Sequence, residues 1–67
     1  MTPWTSAYAK GLRVEVYSRL AQRWDAAEVL SVTRSRVTVV LLASDFVRVV
    51  VDRKSEIHVV NQNREVA

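Results

Sequence analysis

Arg36-Val37-Thr38-Val39-Val40-Leu41-Leu42-Ala43-Ser44-Asp45-Phe46-Val47-Arg48-Val49-Val50-Val51 is the stretch on which the fold turns. Valine is stiff at χ1 and suits a pleated, half-buried surface, so both arms of this stretch read as nearly continuous strands, 36–42 and 46–51. Ala43-Ser44-Asp45 between them reads as a tight turn. Val37, Val39 and Leu41 fall on one face of the first arm, while Val40 and Leu42 fall on the other. If the first set points into a core, the second needs a cover or a partner.

Upstream, Leu12, Val14 and Val16 alternate with Arg13, Glu15 and Tyr17, which gives a half-buried strand over 12–18. Ser18 to Arg23 carries neither Gly nor Asn, so a loop longer than a two-residue hairpin turn is expected. Trp24 to Val32 admits two readings. Asp25 and Glu28 could sit in the first turn of a helix, but the alternation of Ala27 and Val29 and the finish at Val32-Thr33 favour a bent strand over 23–32. Arg34-Ser35-Arg36 is a short polar turn. Downstream, 52–55 is too polar for a strand and suits one turn of 3₁₀ helix, and 56–60 reads as a last short strand. Residues 1–10 read as an extended leader whose Trp4 and Tyr8 fold back over an open edge, 11–60 as the domain, and 61–67 as a tail.

The expected fold is therefore all-β. Five short strands protect their edges by curling into a small, strongly bent antiparallel barrel, with Val14, Val16, Ala27, Val29, Val39 and Leu41 as its core. With 67 residues, fourteen of them valine, the chain has room for one core and none for a Rossmann fold or a barrel enzyme. It contains no Cys, which excludes disulfide staples and thiolate metal sites. The longest apolar run, 39–43, is far short of a membrane span, and no signal peptide is visible, so an intracellular location is expected. His58, the only histidine, reads as a packing residue without co-ligands. One Gly leaves no phosphate-cradling loop, and no nucleophile or carboxylate pair has a suitable setting. No enzyme activity, cofactor or metal is expected.

Gly11-Leu12-Arg13-Val14, then Val16, a loop, and Trp24-Asp25-Ala26-Ala27-Glu28-Val29-Leu30-Ser31-Val32 resemble a Tudor domain, a member of the SH3-like barrels, over about residues 8–60. The resemblance implies a five-stranded SH3-like barrel that reads methylated lysine or arginine through an aromatic cage. That cage would lie where the first–second and third–fourth strand loops meet. Aromatic faces beside a carboxylate suit a methylated cation, which keeps its charge but has lost hydration. Carried over, the cage positions fall on Ser18, on Asp25 and on Leu42 or Ala43, with Tyr17, Trp24 and Phe46 beside them and Asp45 as the charge partner. The implied cage is thus degenerate. The ligand-binding candidates are Tyr17, Trp24, Asp25, Asp45 and Phe46.

The leading functional expectation is a non-catalytic module for protein–protein contacts. By the resemblance it works in a chromatin or RNA-processing setting in the nucleus, with a histone-like, methylated peptide among the candidate partners. Val40 and Leu42 offer it a partner surface. Two alternatives stay open. One is nucleic-acid binding through Arg19, Arg23, Arg34 and Arg36, for which a net charge of +3 gives modest support. The other is self-association through the outward valines.

Overall fold

The computed structural model of the chain describes residues 2–43 and 47–60. Five antiparallel strands form one sheet: β1 (Arg13–Ser18), β2 (Arg23–Val32), β3 (Val37–Leu41), β4 (Arg48–Val51) and β5 (Ile57–Val59). Their order is β4-β3-β2-β1-β5, so the first four strands form a meander and the fifth returns to the free side of β1. The all-β expectation holds, and the helical reading of 24–30 gives way to a ten-residue strand. The remaining strands match the sequence reading with ends trimmed by a residue or two. The expected turn at 43–45 and the first residue of the 46–51 strand fall partly outside the described residues, as does the tail 61–67.

Each connection has a local cause. Tyr17 pairs with Trp24 and Ser18 with Arg23, leaving a four-residue loop closed by the Ala21 N–H donating to Ser18 Oγ at 3.1 Å. Gln22 ends that loop in the left-handed region at φ 55°. Between β2 and β3, the Thr33 N–H donates to the Arg36 carbonyl at 2.8 Å, and the Arg36 N–H donates back to Thr33 Oγ1 at 3.1 Å. A bulge at Leu30 shifts the β2–β3 register between Val29 and Ser31. Ala27 and Val29 therefore face the core before the bulge, and Val32, opposite Val37, packs against it afterwards.

The buried apolar residues are Val14, Val16, Ala27, Val29, Val37, Val39, Val51 and Ile57. Five of these are among the six expected. Leu41, the sixth, is only half-buried, because it sits at the open end of β3 beside the cavity described below. Val51 and Ile57 join the core because β4 and β5 each present an alternating face to the same interior.

The leader is not extended throughout. Pro3, at φ −66°, precedes a 3₁₀ turn at Trp4–Ala7, held by the Ser6 N–H donating to the Pro3 carbonyl and the Tyr8 N–H to that of Thr5, both at 3.0 Å. Trp4 and Tyr8 do pack against the core, as the sequence suggests. Two side-chain hydrogen bonds tie the leader down. Thr5 Oγ1 donates to the Arg34 carbonyl at 3.0 Å, and the Tyr8 hydroxyl donates to the Ile57 carbonyl at 3.3 Å. Thr5 is the one buried polar residue described. A second 3₁₀ turn, Lys54–Glu56, links β4 to β5 one or two residues later than the sequence places it.

Candidate functional site

Asp25 and Trp24 are neighbours in sequence, yet the strand period of two sends them to opposite faces of β2. Asp25, paired with Val16, turns towards the core face. There, Val16, Leu20, Leu41 and Val49 line an apolar cavity of about 370 Å³ whose polar rim is Tyr17, Ser18, Arg19 and Asp25. It opens at the end of the sheet that carries the β1–β2 loop and the β3–β4 connection, where the resemblance expects a ligand site. Ser18 and Asp25, two of the carried-over positions, both border it. Leu20, on its lip, is 100% exposed.

The Asp25 carboxylate already has a cationic neighbour. Arg23 Nε lies 3.1 Å from Asp25 Oδ1. A cationic guest must therefore compete with that guanidinium. Tyr17 is the one described ring on the rim. Asp45 and Phe46, the other expected contributors, lie outside the described residues.

Trp24, 40% exposed, lies on the outer face instead. Its ring meets Tyr17 edge-on at 5.4 Å between centroids and reaches across β1 to His58 at 4.4 Å. His58 Nε2 is 2.7 Å from Glu15 Oε1. Tyr17, Trp24, His58 and Glu15 thus form one cluster joining β2, β1 and β5. The packing role expected for His58 is met on the outside of the sheet rather than in its core. Glu15 escapes a residue-by-residue reading, although its place as a polar member of an alternating strand puts it on the same face as Tyr17.

The four arginines proposed for nucleic acid divide into two kinds. Arg19 pairs with Glu56 at 2.6 Å and Arg23 with Asp25, which neutralises the first-loop pair. Arg34 and Arg36, in the β2–β3 turn, are exposed and form no ion pair among the described residues. On the proposed partner surface, Val40 is half-buried and Leu42 is 38% exposed. Val50, on the edge strand β4, is more open at 57%.

Burial pushes the Tyr8 phenol above its ordinary value. Among the described residues, no three His, Cys, Asp or Glu side chains converge to hold a metal, and no helix is long and apolar enough to cross a membrane. Comparison with family models, with curated proteins and with solved structures finds no match for this chain.

Proposed function

We propose that the chain is a non-catalytic interaction module, an SH3-like barrel of Tudor type, that seats an apolar side chain of a protein partner in the cavity beside Asp25. The observation that carries this reading is Leu20, a fully exposed leucine on the lip of an apolar cavity. A large apolar side chain left in water beside an unfilled apolar hollow suits a surface completed by a partner. The strand order β4-β3-β2-β1-β5 and the 3₁₀ turn before β5 support the SH3-like reading, since curling would bring β4 and β5 towards each other. Leu42 and Val50 lie on the other face of β3 and β4, as exposed apolar residues separate from this cavity. The setting that the resemblance implies is chromatin or RNA processing in the nucleus.

The cage is the weaker half of the resemblance. One described ring and a carboxylate engaged by Arg23 leave little for a methylated cation, given about 0.5–2 kcal/mol per good cation–π contact. Methyl-lysine and methyl-arginine peptides should bind at about 1 mM or weaker, near −4 kcal/mol. NMR titration of the labelled chain with methylated and unmethylated peptides tests both halves. Peptides carrying an apolar anchor should shift Val16, Ser18, Asp25 and Leu41, and Leu20→Asp should weaken them at least tenfold while the spectrum stays folded. Micromolar, methyl-dependent binding lost in a folded Trp24→Ala variant would restore the cage and overturn the apolar reading.

A further inference from the structure

At the end of β2 remote from Asp25, a second hollow of about 370 Å³ lies between the start of the leader and the β2–β3 turn. Thr2, Pro3, Trp4, Arg34 and Ser35 line it. Its two walls are far apart in sequence. The bond from Thr5 Oγ1 to the Arg34 carbonyl joins them, and Thr5 is only 1% exposed. Trp4 and Arg34 are therefore held together by a shielded polar contact rather than by chance proximity of loose segments.

The charge pattern marks this end, although Arg48, at the opposite end of β4, also has no ion pair among the described residues. Arg13, Arg19 and Arg23 each face a carboxylate, from Glu28, Glu56 and Asp25 respectively, and Glu15 faces His58. Those pairs absorb four of the five described acids. Asp52, the fifth, follows Val51, which pairs with Val37 at this same end, and Arg53 and Lys54 come directly after it. Arg34 and Arg36 thus offer guanidinium groups that no described carboxylate answers. Lys10 stands on the turn before β1, next to Gly11, whose N–H donates to the Val29 carbonyl.

We propose that this hollow binds single-stranded nucleic acid, with one unstacked base lying against Trp4 and the flanking phosphates held by Arg34 and Arg36. An indole side chain supplies a stacking surface that every base can use, and guanidinium forks match phosphate oxygens. The Ser35 and Thr2 hydroxyls add donors for sugar or phosphate oxygens. A duplex keeps its bases stacked and cannot present one to Trp4, which selects the single-stranded form. An acidic peptide would meet the arginines but leave the aromatic wall unused. The site lies at the opposite end of the sheet from the cavity beside Asp25, so either can fail without the other.

The test is an NMR and anisotropy titration of the whole chain with short oligothymidylate and oligouridylate at several salt concentrations. The Trp4 indole N–H and the Ser35 and Arg36 amides should shift while the Trp24 indole stays in place. Two phosphate contacts on a single strand predict a slope of about −1.4 for log affinity against log salt. Arg34→Ala with Arg36→Ala, both at exposed positions, should weaken binding at least tenfold, whereas Arg23→Ala should leave it unchanged. Thr5→Val, which frees the leader, should weaken it too. Absence of any shift at Trp4 would overturn the proposal. So would an equal loss in Arg23→Ala, or an oligoglutamate that binds as tightly and moves the same resonances.

Discussion

Val39 is fully buried at the centre of β3, opposite Val29 on β2 and Val49 on β4. An unpaired carboxylate there would cost several kcal/mol, against a total stability of roughly 5–15 kcal/mol for a domain. Val39→Asp should therefore abolish the β-sheet circular dichroism signal at room temperature. Backbone strain gives a finer contrast. Gln22 holds a left-handed φ of 55° that costs an L-residue roughly 1–2 kcal/mol, so Gln22→Gly should leave stability unchanged or raise it by about 1 kcal/mol. Gly11, at φ 91°, has open space where a Cβ would stand, so Gly11→Ala should cost about 1–2 kcal/mol of unfolding free energy through φ alone, read as a lower denaturant midpoint. The inward valines were legible because each strand alternates cleanly. The split between Trp24 and Asp25 follows from the same alternation, although the resemblance set both residues beside one cage. Counting back from Ala27 and Val29 puts Asp25 inward and Trp24 outward.

The leader is the element whose behaviour sequence reasoning only half describes. Its covering role follows from two aromatic rings in an otherwise polar stretch, but its 3₁₀ turn and its anchors depend on carbonyls of Arg34 and Ile57, brought near by the rest of the fold. Thr5→Val keeps the shape and orphans the Arg34 carbonyl, so thermal unfolding should report a loss of about 1–2 kcal/mol. Tyr8 makes the same element sensitive to alkali. Its phenol is held above the usual value of about 10 because burial disfavours the anion. The folded state thus retains the proton where the unfolded chain has begun to lose it. That contribution is fully present below pH 10 and disappears as pH rises through the folded value. Tyr8→Phe should flatten the alkaline limb of the stability profile. The bulge at Leu30 was legible only as a bend, since one extra residue in an otherwise alternating run leaves no mark except the shift of the inward set from Val29 to Val32.

At the scale of the molecule, five strands and their sequence order could be read from the periodicity, because valine-rich runs separated by polar turns leave few other solutions. The pairing of β5 with β1 could not be read from local pattern, as it joins residues more than forty positions apart: Val14 with Val59 and Val16 with Ile57. The resemblance set an aromatic cage at this end of the sheet; the apolar cavity beside Asp25 could not be read from the sequence, since a hollow belongs to several elements at once. Sedimentation across a concentration series checks whether the apolar surface at Leu42 and Val50 brings copies together. Leu42→Glu should reverse any association seen and leave a monomer with unchanged circular dichroism. The two leader anchors also set an order of events. Thr5 needs the β2–β3 turn and Tyr8 needs β5, contacts that span 29 and 49 residues. Such distant closures come late, after the local hairpins have formed. The amides of the β1–β2–β3 meander should therefore be the last to exchange with deuterated solvent. The leader should open on its own, many times for each global unfolding, and so expose the underside of the core before the sheet itself comes apart.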